Sequence, residues 1–173
     1  MQRYVKINRA PVLTLWAAVV AQRLGFAWDE ALTLGRAVAG LDAHAKGVAL
    51  GLFQPSPAKV RKLVGATGGR GLRVSLLHRA IPCRRTKQGL RALSGGRPIA
   101  PASVKRYLAA KFGADLAPAR SAMARLARSR PPRALGPAAY GLYVKFRPSV
   151  PAGVKGWGAR GRLDLKKIGR LSE

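Results

Sequence analysis

Acidic side chains are scarce in this sequence of 173 residues. Only 6 Asp and Glu accompany 33 Lys and Arg, so the formal net charge is +27 and the pI is near 11.9. At most six cations can find a carboxylate within the fold, and the others repel one another unless an external anion binds. The imbalance therefore predicts a polyanionic partner, with nucleic acid as the leading prediction.

Side chains suited to chemistry are also few. The sequence has two histidines, His44 and His78, and a single cysteine, Cys83. One cysteine excludes an internal disulfide and a zinc site built from cysteines. The acids are too scattered to predict a metal-dependent active site, and the glycine-rich segments lack the spacing of a phosphate-binding loop. We predict no cofactor and no metal, and we favour a binding protein over an enzyme.

Two alternatives to simple nucleic-acid binding stay open. One is a nucleic-acid-processing enzyme or its accessory subunit, which turnover of DNA or RNA would reveal. The other is a binding module for an anionic membrane or an acidic protein, which the same positive charge would serve.

Long apolar runs are missing as well. Residues 11–21 are mostly apolar and follow a basic start, which resembles a signal peptide, but they continue into a helical pattern and are too short to cross a membrane. They are predicted to form a core helix. The expected location is the cytoplasm, with nucleoid association if DNA is the ligand.

Apolar residues make up 48% of the chain and charged residues 23%, as in ordinary globular proteins. Their spacing predicts a mainly α fold with a small β element, of the α+β class. Residues 1–53 are predicted to form an N-terminal three-helix unit that resembles helix-turn-helix packing, with helices at 11–24, 28–40 and 41–50 and a turn at Gly25.

This N-terminal unit is poorly suited to reading bases. Asp29 and Glu30 lie at the helix end that should approach phosphate, and they would be repelled there. The unit is therefore predicted to pack or to form a homo-oligomer through residues 11–52. Trp28, if exposed, is predicted to be an interface residue.

The rest of the chain is divided by a Pro/Gly-rich linker or loop at 54–71. Residues 72–173 are predicted to be a basic α+β unit, although the whole chain could also be one domain. A strand is expected from 72, running on to Ile81, and the segment 83–93 is expected to complete a hairpin, with 84–87 in a turn between the strands. Helices are expected at 101–113, 115–129 and 137–146, and a strand at 162–165.

The positive charge is concentrated in this later part. Residues 1–58 carry a net charge of +3, and residues 59–173 carry +24. Arginine forks suit phosphate, so mostly sequence-independent binding is predicted, with DNA slightly favoured over RNA. Trp157 could stack on a base or pack on the core. The predicted nucleic-acid-binding residues are Arg84, Arg85, Lys87, Lys105, Arg106, Lys111, Arg120, Arg125, Arg128, Lys155, Trp157, Arg160 and Arg162.

Several short segments resemble a group of conserved bacterial and fungal proteins of unknown function. The similar segments are spread over most of the chain: NRAPVLTLW at 8–16, AQRLGF at 21–26, EAL at 30–32, KG at 46–47, GLY at 141–143, FRP at 146–148 and GWG at 156–158. The resemblance implies no activity, cofactor or site.

Overall fold

The computed structural model describes residues 4–49, 72–150 and 160–173. The predicted linker or loop at 54–71, together with Lys155 and Trp157, lies outside the described residues. The elements follow in the order β1 (Tyr4–Ile7), α1 (Arg9–Arg23), α2 (Trp28–Ala49), β2 (Leu72–Leu76), β3 (Arg79–Thr86), β4 (Gly89–Ser94), β5 (Arg97–Pro98), α3 (Pro101–Phe112), α4 (Leu116–Arg128), α5 (Pro132–Phe146), β6 (Gly161–Asp164) and α6 (Leu165–Leu171). The predicted α+β class is confirmed.

Helix α1 lies at the centre of the core. Every residue from 11 to 21 is buried, because this helix is apolar on all faces and α2, α4 and α5 pack around it. Trp16 donates a hydrogen bond from Nε1 to the carbonyl oxygen of Ala139, at 2.9 Å, and meets the Phe146 ring edge-on at 5.3 Å. The predicted self-association through residues 11–52 therefore cannot use these α1 side chains.

The α1–α2 turn is confirmed at Gly25, whose φ of +116° favours glycine. The predicted break at Gly40 is wrong, since α2 runs as one helix from Trp28 to Ala49. The N-terminal part thus has two described helices in place of the predicted three. Glycine inside a helix costs only about 1 kcal/mol, and packing of buried Val38 and Ala39 outweighs it.

Strands β2 to β5 form an antiparallel sheet in sequence order. The predicted strand running from 72 to Ile81 is wrong in its middle, because the chain reverses at Leu77 and His78. Both have positive φ, 48° and 62°, as in a tight two-residue hairpin. The segment 83–93 does contribute to a hairpin, formed by β3 and β4, but the turn lies at Lys87 and Gln88. The predicted turn at 84–87 is therefore wrong for Arg84 and Arg85, which lie on strand β3.

Helix α2 covers the edge of strand β4. The Leu90 amide donates to Oε2 of Glu30 at 2.7 Å, and the Ala92 amide donates to Oγ1 of Thr33 at 3.0 Å. Glu30 and Thr33 are three residues apart and share one face of α2. Their side chains thus satisfy backbone groups that a free strand edge would expose.

One hydrophobic core includes residues from both predicted units, among them Val5, Leu15, Ile81 and Met123. Strand β1 joins the two units directly, since it pairs antiparallel with β6. Helix α5 begins at Pro132, five residues before the predicted start, and α6 was not predicted. Among the described helices, none combines the length and apolar content needed to cross a membrane.

Candidate nucleic-acid interface

The described members of the predicted binding set are all exposed. On α3, Val104, Leu108 and Phe112 are buried at helical spacing. The three cations of that helix lie off this stripe, and they are Lys105, Arg106 and Lys111. The amphipathic pattern that builds α3 therefore also presents its positive charge to solvent.

Helix α4 follows the same rule. Ala119, Met123, Leu126 and Ala127 are buried, and the cations point outward. Helices α3 and α4 contact each other, and Lys105 of α3 and Arg120 of α4 line the same groove. We call the exposed cations of these two helices, taken together, the helical basic face. It consists of Lys105, Arg106, Lys111, Arg120, Arg125 and Arg128.

A mainly apolar groove of about 940 Å³ opens beside this face. It is lined by Trp28 and Leu32 of α2 and includes Lys105 and Arg120 at its edge. The Arg120 guanidinium lies 3.7 Å from the centre of the Trp28 ring, a cation–π contact that orders both side chains. Trp28, the predicted interface residue, is half-buried, and Arg120 covers one face of its ring.

Lys105 also forms an ion pair with Asp29, at 3.1 Å between Nζ and Oδ1. This acid was predicted to oppose phosphate at the start of α2. With Lys105 beside it, its charge is partly compensated, although both side chains are about half exposed and the pair contributes little to stability. The groove edge keeps a positive balance through Arg120.

A second basic surface lies on the sheet. We call Arg84, Arg85 and Lys87, at the end of β3 and in the following turn, the hairpin basic cluster; all three are exposed. Arg84 stands opposite Arg91 of β4. Arg91 is buried and donates from Nη1 to the carbonyl oxygen of Leu90, at 2.9 Å. Strand β3 packs on α2, so this cluster belongs to a different element pair from the helical basic face.

Arg160 and Arg162 lie at the β1–β6 pair. Arg162 is on β6 opposite exposed Lys6 and exchanges two backbone hydrogen bonds with Ser149. The chain matches no protein-family model, no curated protein and no solved structure. The interface therefore rests on the geometry of its own residues.

Sequence reasoning missed the cations of α6. Lys166, Lys167 and Arg170 are exposed, and α6 packs on α4, beside the helical basic face. The sequence does contain a signal for this helix. Asp164 caps the helix by accepting from the Lys166 amide at 3.0 Å, and Leu165, Ile168 and Leu171 follow at helical spacing.

The cysteine and the buried aspartate of the described chain have contacts that are typical of structural residues. No three His, Cys, Asp or Glu side chains lie together as a metal site within residues 4–49, 72–150 and 160–173. Burial raises the pKa of the Cys83 thiol to about 11, so it is neutral at pH 7. Buried Asp42 accepts hydrogen bonds from Arg79 at 3.0 Å and Tyr140 at 3.2 Å, which links α2, β3 and α5.

Proposed function

We propose that this protein is a non-catalytic, mostly sequence-independent nucleic-acid-binding protein that holds phosphate groups through exposed arginine and lysine. The observation that carries the proposal is the pattern of charge use. The cations of α3, α4, α6 and the hairpin face solvent and outnumber all the carboxylates of the chain, of which Asp29 and Asp164 pair with Lys105 and Arg170. Phosphates fixed along a backbone would relieve this repulsion and release condensed counterions.

Three of the acids have well-defined partners within the fold. Asp42 pairs with Arg79 and is only 5% exposed, and Asp164 lies 3.7 Å from Arg170. Glu30 accepts backbone hydrogen bonds from Ala27 and Leu90. These carboxylates are occupied by their own neighbours, and Asp29 pairs with Lys105, so the four arginines of the helical basic face keep an excess of positive charge.

The mode of binding follows from the side chains. The helical basic face offers four arginines, whose forked donors fit phosphate oxygens, and contacts to phosphate carry no sequence information. Duplex DNA is favoured over RNA, and with DNA as ligand the expected location is the nucleoid. Self-association, if it occurs, would use α2, because α1 is buried.

The test is a fluorescence-anisotropy titration with duplex DNA, single-stranded DNA and RNA of equal length at several salt concentrations. For the favoured ligand, log K should fall linearly with log salt, by about 0.9 per neutralised phosphate. A binding constant that does not change with salt concentration would overturn the proposal.

A matched pair of variants locates the surface. The triple variant Arg106→Gln, Arg125→Gln, Arg128→Gln should reduce the salt slope by about 2.7, the value for three lost phosphate contacts. The control Lys6→Gln, Arg73→Gln, Lys145→Gln removes the same charge from exposed positions elsewhere and should change the slope by less than about 1. Equal effects would mean that only net charge matters.

The same samples separate the alternatives. Cleavage or other turnover of the oligonucleotides would favour a nucleic-acid-processing enzyme. Binding to anionic lipid vesicles without binding to any oligonucleotide would favour a membrane-binding module and would refute the proposal.

A further inference from the structure

Two arginines outside the predicted binding set meet where α1 ends and α5 begins. Arg23 lies in the last turn of α1, and Arg130 lies between α4 and α5. The Arg23 guanidinium donates from Nη2 to the carbonyl oxygen of Arg130, at 3.2 Å. This bond fixes the Arg23 guanidinium against the segment that carries Arg130.

Both guanidinium groups contain a buried donor without an acceptor. Nε of Arg23 and Nη1 of Arg130 are shielded from solvent, and neither has a hydrogen-bond partner among the described residues. Arginine stays protonated in proteins, so these donors cannot be removed by titration. A buried, charged donor without a partner is costly, which indicates that an acceptor belongs there.

The sequence around Arg130 supplies cations and no acid. No Asp or Glu occurs between Asp115 and Asp164. Arg125, Arg128 and Arg133 flank Arg130 on the chain and are exposed. On the Arg23 side the nearest acids in sequence are Asp29 and Glu30, which contact Lys105 and the backbone amides of Ala27 and Leu90 instead.

The N-terminus of α5 adds to the positive electrostatic potential near Arg130. This 15-residue helix begins at Pro132, directly after the pair, and it has neither a side-chain cap nor an acidic residue in its first turn. Its positive end thus lies next to Arg130 without a compensating group. The helix end only supplements the two unpaired guanidinium donors, which are the primary evidence.

We infer that Arg23 and Arg130 together bind one phosphate group. Each guanidinium has one N–H without an acceptor, both residues remain partly exposed, and charge-assisted hydrogen bonds to phosphate oxygens would satisfy both donors. The phosphate could belong to a nucleic-acid backbone or to a free phosphate or phosphomonoester. In the first case the inference rests on the function proposed above, and adds to it an ordered contact point.

The direct test is calorimetric titration of the full chain with inorganic phosphate at constant ionic strength, adjusted with sodium chloride. Arg130→Gln should weaken phosphate binding about tenfold or more, the loss expected for one charge-assisted contact. The control Arg133→Gln removes an exposed arginine three residues away and should stay within about twofold. No phosphate binding, or equal losses in both variants, would overturn the inference.

Arg23→Lys provides a second variant that keeps the charge. It retains one cation but loses Nε and the fork, so phosphate affinity should still fall about tenfold. Thermal melts without phosphate identify any variant that fails to fold. A Lys variant that folds and binds phosphate normally would contradict a role for the Arg23 fork.

Oligonucleotide titrations with the same variants distinguish the source of the phosphate. A larger loss of duplex affinity in Arg130→Gln than in Arg133→Gln would assign the phosphate to the backbone of a nucleic acid. Arg130-dependent binding of inorganic phosphate with unchanged duplex affinity would assign the site to a free phosphate or phosphomonoester. If no oligonucleotide binds at all, the proposed function fails, while phosphate calorimetry still decides this site.

Discussion

Glu30 accepts hydrogen bonds from backbone amides of two separate elements. Oε1 accepts from Ala27 ahead of α2 at 3.0 Å, and Oε2 accepts from Leu90 of β4 at 2.7 Å. These bonds, from Leu90 first and Ala27 second, hold the pKa of Glu30 below its ordinary value. The ionised carboxylate therefore contributes to the stability of the α2–β4 contact.

The pH dependence of stability follows from the lowered pKa. Ionised Glu30 stabilises the fold fully above the unfolded-state pKa, about 4.3, and the contribution is lost as pH falls through the lower folded-state pKa. Glu30→Gln should lower the free energy of unfolding by about 1–2 kcal/mol at pH 7. In urea melts the difference from wild type should shrink in acid.

The neighbouring acid provides the control. Asp29→Asn removes a half-exposed carboxylate that pairs only with exposed Lys105 among the contacts given above, so the change should be below about 1 kcal/mol. A loss in Asp29→Asn as large as in Glu30→Gln would mean that general charge, not the bridge to β4, determines the effect.

At the scale of elements, the closest approach lies between α1 and α2. A Cβ on Gly35 would overlap the carbonyl oxygen of Thr14 and would lie 2.9 Å from the amide nitrogen of Ala18. Both neighbours are backbone atoms of α1, which cannot rotate away as a side chain can. Gly35 thus sets the distance between the two helices.

Gly35→Ala should destabilise the protein by about 3 kcal/mol, at the upper end of overpacking effects, because α1 must move. Gly40→Ala on the same helix is a matched control, since open space surrounds that position. It should stabilise the protein by up to about 1 kcal/mol through helix propensity. Urea denaturation measures both, and a neutral Gly35→Ala would refute the close contact.

The spacing of apolar residues predicts most helices well. Val104, Leu108 and Phe112 recur at helical spacing and are buried on α3, and the run from Ala31 to Gly35 is buried on α2. The turn at Leu77 and His78 was missed because neither is a residue that signals a turn, and the sheet alone imposes positive φ there. The early start of α5 was missed because two prolines look like a stop, although Pro132 suits a first helical turn.

Parts of the candidate site were less predictable. The exposure of Arg120 and Arg125 follows from the helical stripe of α4, but the placement of Arg120 on Trp28 depends on a contact between residues 92 positions apart. The Arg23–Arg130 contact is also remote, since the two residues are 107 positions apart. Local patterns predict which face a residue occupies, whereas only the packed fold determines which distant residue it meets.

At the scale of the whole molecule, the net charge of +27 opposes folding by self-repulsion. Raising sodium chloride towards 0.15 M shortens the screening length to about 8 Å, so the melting temperature should rise with salt. The triple variant Arg106→Gln, Arg125→Gln, Arg128→Gln should melt higher than wild type at low salt and respond less to salt. A melting temperature that falls with salt would mean that attractive ion pairs dominate.

The β1–β6 pair has a consequence for the order of events during protein synthesis. Ile7 pairs with Gly161, so the partner of β1 is translated roughly 10–30 s later at typical elongation rates. Helix α1 waits similarly for α4 and α5, its neighbours in the core. Helix α1 thus leaves the ribosome well before α4 and α5, which help to bury it, and the native structure can be completed only after β6 has been synthesised.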